Sequence, residues 1–385
     1  MLNISSRSNS IPQSLIRKMA NMAAGLEDVI TFAIGEPDFK TPDNIIEAAV
    51  TALRGGETHY TPNAGYTPLR EAIREDYKKR DLNYGLENIM VTAGAMEALY
   101  LSMLAILDLG DEIIISDPHF TNYYGMTVQS GAVPVLVRVR EENSFMYDVN
   151  ELRKSITDKT KVIIVNSPSN PTGGVASVEN LKSIAELAIE KDLYVISDEM
   201  YKHLIYSDEE YVSIASFPGM IERTIVIDGL SKSHAMTGWR VGYTAGPEPV
   251  VAAMTKMQEN IISCVTTVSQ FAALEAITGS QEDRHSMIRE YKERRDLVVK
   301  LINDIDKVSC IEPKGAFYAF INIKNTGLSS EEFAIRLLKE QHVIVVPGNG
   351  FGPGGEGFVR LSYATSKENI IEGLTRMSKF VEGLA

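Results

Sequence analysis

The stretch Ile227-Asp-Gly-Leu-Ser-Lys-Ser-His-Ala-Met-Thr-Gly-Trp-Arg-Val-Gly-Tyr243 decides the fold. An apolar run ends as it opens and a second strand-like run begins as it closes. Its middle, with Lys232 between two serines, is therefore a loop at the mouth of a core. An amine there is partly desolvated and loses its proton more easily than an exposed one, as a lysine that attacks a carbonyl carbon requires. The Ser231 hydroxyl and the planar fork of Arg240 are suited to hold a phosphate dianion beside it. A lysine in a polar loop is more often a solvated charge, so its meaning depends on the rest of the chain.

Upstream of this loop lies a regular alternation. Strand-like Ile89–Thr92, Glu112–Ser116, Val133–Val137, Lys161–Asn166, Leu193–Ser197, Thr224–Ile227 and Val241–Ala245 are separated by helical patterns that run to about Leu107, from about Thr121, and over Val178–Glu190. Strands apolar throughout and separated by helices predict an α/β fold, with a mostly parallel sheet covered by helices on both faces. Ligands of such sheets bind beyond the carboxyl ends of the strands. Four turns follow strands there. Ala93-Gly-Ala-Met96 opens a helix with free N–H groups that favour a phosphate. Asp117-Pro-His-Phe-Thr-Asn-Tyr-Tyr124 sets aromatic rings where one can stack on a flat ligand. Asn166-Ser-Pro-Ser-Asn-Pro-Thr-Gly-Gly174 is a stiff loop whose amides, Asn166 and Asn170, can turn inward. Asp198-Glu-Met-Tyr201 offers a carboxylate and a phenol. Asp198 could simply cap a helix. Together with Lys232, however, Asp198 and Tyr201 make the set that pyridoxal phosphate needs: a counter-charge for a ring nitrogen, a hydrogen bond to a phenolic oxygen and an amine for an aldehyde.

Before the alternation, Ser10–Met19 has helical spacing after a proline, Val29–Ile34 reads as a strand, and Gly35-Glu-Pro-Asp-Phe39 ends it. A helix over about 42–53 is followed by the aromatic-bearing loop His59–Arg70, which holds Tyr60 and Tyr66, and by a charged helix to about Arg80. After it, residues 250–304 are helical with a break near Ser280, and their charged second part predicts a bridging helix. Lys314–Asn322, a helix, Val343–Gly348, Gly357–Tyr363 and a terminal helix make a smaller α+β unit. Arg360, on a half-buried strand, needs an anionic partner, either an internal carboxylate or a ligand. The predicted division is an N-terminal arm with part of a small domain (1–40), a large domain (41–280) and a small C-terminal domain (281–385).

With 38 basic against 51 acidic residues, the net charge of −13 argues against a nucleic-acid partner or an anionic membrane surface. No apolar run approaches a membrane span and no secretory leader is recognisable, so the cytoplasm is expected. Cys264 and Cys310 read as buried, reduced thiols without metal-ligand spacing, and no metal is expected.

Six ordered motifs, Gly35-Glu-Pro-Asp-Phe, Tyr60-Thr-Pro-Asn-Ala-Gly, Asn166-Ser-Pro-Ser-Asn-Pro-Thr-Gly, Ser197-Asp-Glu-Met-Tyr, Ser231-Lys-Ser-His-Ala-Met-Thr-Gly-Trp-Arg and Phe358-Val-Arg-Leu-Ser, mark a resemblance over nearly the whole chain. It resembles the class I, fold-type I, pyridoxal-phosphate-dependent aminotransferases, in the short-armed branch that holds aspartate, aromatic and N-acetyl-LL-diaminopimelate aminotransferases. The resemblance implies an aspartate aminotransferase-like fold and a ping-pong exchange of an amino group between an L-amino acid and a 2-oxo acid, with glutamate and 2-oxoglutarate as one pair. In it, Lys232 is similar to the lysine that bonds the cofactor and shuttles the proton, and Asp198 to the partner of the ring nitrogen. Tyr201 and Asn170 would bond the ring oxygen. Ser231, Arg240 and the N–H groups of Ala95 and Met96 would hold the phosphate, joined by Tyr60 of a second subunit of a homodimer. Phe120, where many relatives carry Trp or Tyr, would stack on the ring. Arg360, Asn170 and the Gly35 backbone would grip the substrate carboxylate. The segment Glu259–Ser269, near where relatives line the side-chain pocket, holds no Arg or Lys, so the donor's side chain stays open. Two alternatives are a lyase eliminating a β-substituent, such as a C–S bond, on the same scaffold and a non-catalytic amino-acid sensor.

Overall fold

The computed structural model describes residues 4–11, 15–206 and 211–384. Helices α1 (Ser6–Asn9) and α2 (Leu15–Met22) precede β1 (Ile30–Thr31), α3 (Asp43–Arg54) and α4 (Thr67–Lys78). The alternation follows as β2 (Ile89–Thr92), α5 (Ala95–Ile106), β3 (Glu112–Asp117), α6 (Thr121–Ser130), β4 (Val133–Arg138), α7 (Val149–Lys154), β5 (Thr160–Asn166), α8 (Val178–Glu190), β6 (Tyr194–Asp198), β7 (Thr224–Gly229) and β8 (Gly242–Ala245). Three helices come next, α9 (Glu248–Ile262), α10 (Thr267–Thr278) and α11 (Glu282–Asn303), then β9 (Tyr318–Asn322), α12 (Ser330–Gln341), β10 (Val343–Ile344), β11 (Val346–Pro347), β12 (Phe358–Ser362) and α13 (Lys367–Glu382).

Seven strands form the central sheet in the order β2-β8-β7-β6-β5-β3-β4. The pairings β7–β6, β6–β5, β5–β3 and β3–β4 are parallel. Strand β8 runs antiparallel to both neighbours, because the lysine loop that joins it to β7 holds no crossover helix, which a parallel return would require. Successive side chains of a strand face opposite sides, and here both sides are apolar. Val162 and Ile164 of β5 share a core with Leu99 and Leu101 of α5 and Met254 of α9, whereas Ile163 and Val165 pack with Leu181 and Ile184 of α8. Each such side chain, fully buried, contributes about 1.5–3 kcal/mol, so the sheet is held from both faces. The C-terminal sheet has the order β11-β12-β9, and β1 pairs with β10.

The structure departs from the sequence reading in four places. The strand expected over Val29–Ile34 is regular only at Ile30–Thr31, although Phe32 still bonds Ile344 and Ser362 before the chain turns into Gly35. The helical run after residue 250 breaks a second time at Ser263, whose φ of 62° lies in the left-handed region that ends helices. Cys264, in the turn that follows, is only partly buried; Cys310 is buried as expected. Helix α7, capped by the Asp148 carboxylate on Asn150 and Glu151 N–H, went unread because six residues are too few to show a period. In the expected helix over Ser10–Met19, residues 12–14 lie outside the described residues.

Candidate active site

Neighbouring strands β5, β6 and β7 bring Asn166, Asp198 and Ile227 into one register row, and beyond their carboxyl ends lies a cavity of about 410 Å³. The loops that leave these ends supply Asn170, Tyr201, Ser231 and Lys232, while Arg360 enters from β12. Gly35, Ala95, Met96, Phe120 and Arg240 also line it. Tyr60 is the one predicted residue outside it.

Lys232 donates from Nζ to the Gly35 carbonyl at 2.6 Å. Burial pulls its amine down to about 8, Glu36 opposes this, and the positive charges of Arg360 and Arg240 reinforce it. About a tenth of this amine is therefore unprotonated at neutral pH, far more than of an ordinary lysine. A Cβ on Gly35 would run into the Tyr318 ring and hydroxyl, so glycine there lets the backbone come this close.

Asp198 is buried, which lifts its carboxyl to about 6. The Tyr123 hydroxyl, donating to Oδ2 at 2.5 Å, and the Met200 N–H, donating to Oδ1 at 3.2 Å, favour the carboxylate; Asp228 and Glu199 oppose it. Asn166 fixes the two loops, donating to the Asp198 carbonyl at 3.2 Å and accepting from the Asn170 N–H at 3.0 Å. The Tyr201 hydroxyl lies 2.8 Å from that of Tyr318, and burial keeps Tyr201 neutral by raising it well above the usual phenol.

An anion cradle closes one end. Helix α5 opens after Gly94 (φ 78°) with no side-chain cap, unlike α8 and α13, where Ser177 and Ser366 accept N–H groups. The first N–H groups of a helix have no carbonyl in their own helix to meet, so those of Ala95 and Met96 are left for a ligand. Arg240 lies over Gly94, where an added Cβ would stand 2.6 Å from Nη2, and its Nη1 donates to the Thr237 carbonyl at 2.9 Å. The Ser231 side chain also lines the cavity.

At the other end Arg360 is 2% exposed. Its Nη1 donates to Asn170 Oδ1 at 3.0 Å and its Nη2 to the Ala33 carbonyl at 2.5 Å, and the guanidinium lies over the Tyr318 and Phe351 rings. Nε has no partner. Among the described residues no carboxylate pairs with it, so the internal partner weighed from the sequence is not there. A buried guanidinium met only by neutral groups is costly, and burial lowers its proton affinity. Toward the mouth stand Ile34, 57% exposed, and Glu36, which accepts from the Thr237 hydroxyl. Lys232, Arg240 and Arg360 are the cations lining the cavity, and no residue of Glu259–Ser269 reaches it.

Sequence reasoning missed Tyr123 and Tyr318. In the sequence Tyr123 stands only as one of several aromatic residues after β3. It sits in the first turn of α6, edge-on to Phe120 with centroids 5.4 Å apart, and its hydroxyl serves Asp198. Its spacing of three from Phe120 was the available signal. Tyr318 carried none, because its site role comes from tertiary contacts alone, with Gly35, the Tyr201 hydroxyl and the Arg360 guanidinium. Tyr60 is 87% exposed, yet its loop is fixed: Thr267 donates to the His59 carbonyl, Gln258 to that of Asn63, and Gln270 to the Thr61 hydroxyl.

An amine, a buried carboxylate, an anion cradle and an unpaired guanidinium around one cavity are the parts of an amino-group transfer site. Residues 27–377 match the family model of class I and II aminotransferases, and the chain belongs to that family, an enzyme of the transaminase class. It is 45% identical to an aspartate aminotransferase of Pyrococcus horikoshii, covering 97% of this chain and 96% of the relative. It is 43% identical to aromatic-amino-acid aminotransferase 2 of Thermococcus litoralis, over 98% of each. The solved structure of the aspartate aminotransferase of Rhizobium meliloti superposes with a TM-score of 0.96 at 36% identity, over all of both chains.

Proposed function

We propose that the enzyme uses pyridoxal phosphate to exchange an amino group between an L-amino acid and a 2-oxo acid in two half-reactions, glutamate and 2-oxoglutarate forming one pair. The observation that carries this is Arg360, a buried cation without a counter-charge, at the far side of the cavity from the phosphate cradle. An α-carboxylate would complete it with a charge-assisted, two-pronged contact, and Asn170 would brace the same group. The cofactor fits: the open start of α5, Ser231 and Arg240 match its phosphate, and a Cβ on Gly94 would intrude on this cradle. When bound, it would supply an aldehyde for the amino group and an electron-poor ring for the electron pair released at Cα.

The chain's residues do the rest. Lys232, its amine near 8, would hold the cofactor's aldehyde carbon and, as a free amine, would accept and return the substrate's Cα proton. Asp198, kept ionised by Tyr123 and Met200 N–H, holds a proton on the ring nitrogen. Tyr201, with the amide nitrogen that Asn170 has free while its oxygen faces Arg360, bonds the ring oxygen. Phe120 covers the ring face, and the Gly35 backbone closes the carboxylate end.

We also propose a homodimer in which Tyr60 reaches the partner's cradle. A tyrosine held out into solvent on a fixed loop, with Ile261 56% exposed on α9, is what a covering subunit explains. The domain division proposed is 1–40, 41–280 and 281–385; it is supported by the central sheet lying within 89–245 and by β1 pairing with β10 of the C-terminal part. The donor's side chain, whether of aspartate, of an aromatic amino acid or of N-acetyl-LL-diaminopimelate, is read from rates.

The test is a half-reaction. Purified enzyme mixed with single amino acids, without an acceptor, is expected to lose its visible absorbance once per subunit and to regain it with 2-oxoglutarate. Lys232→Ala is expected to abolish this. Full turnover in that variant, or ammonia released without an oxo acid, would overturn the proposal, the second in favour of elimination.

A further inference from the structure

Behind the cavity floor lies a second layer of charge. Asp198 faces the cavity, but Glu199 and Asp228 do not line it. On the far side they meet Arg80, just beyond α4, and Lys202, the residue after Tyr201. Arg80 Nη1 is 3.1 Å from Glu199 Oε2 and Nη2 is 3.7 Å from Asp228 Oδ2. Lys202 Nζ donates to the same Asp228 oxygen, while Asp228 Oδ1 accepts the Gly229 N–H at 2.7 Å. Glu199 is further bonded by the Ser197 and Ser213 hydroxyls. Glu199, Asp228 and Lys202 have almost no exposed side-chain surface. Two buried cations thus face two buried anions, and Asp76, 28% exposed, adds a third carboxylate at the outer edge against Arg80 and Lys202.

Buried ion pairs are poor stabilisers, because desolvation offsets most of their attraction and apolar side chains of equal size serve as well. Their position is what needs explaining. Lys202 adjoins the turn of Asp198 and Tyr201, and Asp228 is on the strand end that leads to Ser231 and Lys232. We propose that the Arg80–Glu199–Asp228–Lys202 cluster is a positioning element of the active site: the Lys202–Asp228 pair clamps the turn bearing Asp198 to the strand end bearing Lys232, and the cluster's charges set the field that both feel. The inference rests on the function proposed above, in which Lys232 carries the cofactor.

The remaining titratable neighbours leave this field readable. His203 and His234 are held neutral, burial pushing the first well below the ordinary imidazole and the second down to about 4. Tyr77, Tyr243 and Tyr211 are raised well above the ordinary phenol by burial and stay neutral, and Tyr84, also raised by burial, does likewise. Arg284, half-buried beside the histidines, stays charged. Around Lys232 itself the charges are Glu36, Arg240, Arg360 and Asp198, none of which the test alters.

The experiment compares Lys202→Met, Asp228→Asn and the double variant as holoenzymes. It follows the pH midpoint at which the visible absorbance of the lysine-bound cofactor changes, together with kcat and KM. Lys202→Met leaves an excess negative charge and is expected to move the midpoint up; Asp228→Asn leaves an excess positive charge and moves it down. Each shift is about half a unit or more, as for one charge at about 10 Å in a protein interior. The double variant returns the midpoint to the parent's, while kcat stays at least about tenfold low with KM for the amino donor within about twofold, because the clamp is gone. Shifts of the same sign, no shift, or a double variant that keeps a shift overturns the field; full kcat in the double variant overturns the clamp. If Lys202→Met does not fold, the downward shift of Asp228→Asn decides alone. A parent without a visible band overturns the function proposed and this inference with it, and is told apart by being seen before any variant is made.

Discussion

At Arg360 two donors face neutral oxygens and a third faces none. On the function proposed, a carboxylate entering the cavity would exchange a poor environment for a good one and would owe most of its binding to this residue. Arg360→Ala is expected to lower kcat/KM for every amino donor by about 100-fold, the equivalent of about 3 kcal/mol for a charged two-pronged contact. Arg360→Lys should recover little of it, since an ammonium cannot reproduce the fork; equal losses with a donor lacking the α-carboxylate would assign the effect elsewhere. Lys232 makes a prediction about stability. Its folded value, about 8, lies below the ordinary 10.5, so between those values the unfolded chain binds the extra proton and stability rises with pH. Cofactor-free protein should therefore gain up to about 3 kcal/mol from pH 8 to pH 10.5 in denaturant titrations, and Lys232→Met should flatten that rise. Eleven of the twelve site residues named from the sequence line the cavity, because each carries a chemical type that solvent-facing loops rarely assemble in order. Tyr123 and Tyr318 escaped because a phenol's role depends on which single atom its hydroxyl meets, and sequence spacing does not encode that.

Strands and helices were legible where their pattern was long and two-sided. The boundaries of β2 and α8 agree with the reading, since an apolar run between turn residues and a capped helix are both local signals. The direction of β8 was not legible, nor was the break at Ser263, which no glycine or proline marks. The same β8 makes a sharp prediction. A Cβ on Gly242 would stand 2.6 Å from the Ala95 nitrogen and 2.7 Å from the Gly94 carbonyl carbon. Both are backbone atoms and cannot move aside singly. Gly242→Ala should push the start of α5 away from Arg240, weaken cofactor binding at least about tenfold and cost about 1–3 kcal/mol of stability. Spectral titration of cofactor into apoprotein measures the first; unchanged affinity would show that the cradle tolerates the shift.

For the molecule as a whole, the informative surface is the one bearing Tyr60. If this tyrosine completes the partner's site, Tyr60→Ala subunits mixed with Lys232→Ala subunits should form hybrids with one fully wild-type site. In the purified hybrid, cofactor retention and turnover per intact lysine should then return to the parent's level. Failure of a dimeric hybrid to restore activity would place Tyr60 in its own subunit's site, and an unimpaired Tyr60→Ala homodimer would place it outside the reaction. The site's two ends also differ in how they are built. The Arg360 end, with that residue 2% exposed, is locked among buried rings, a backbone carbonyl and an amide oxygen, whereas the mouth, with Ile34 57% exposed, is free of the core. Selection can therefore rewrite the mouth without endangering the fold, and a lineage of such enzymes can change diet while its grip on amino acids stays inherited.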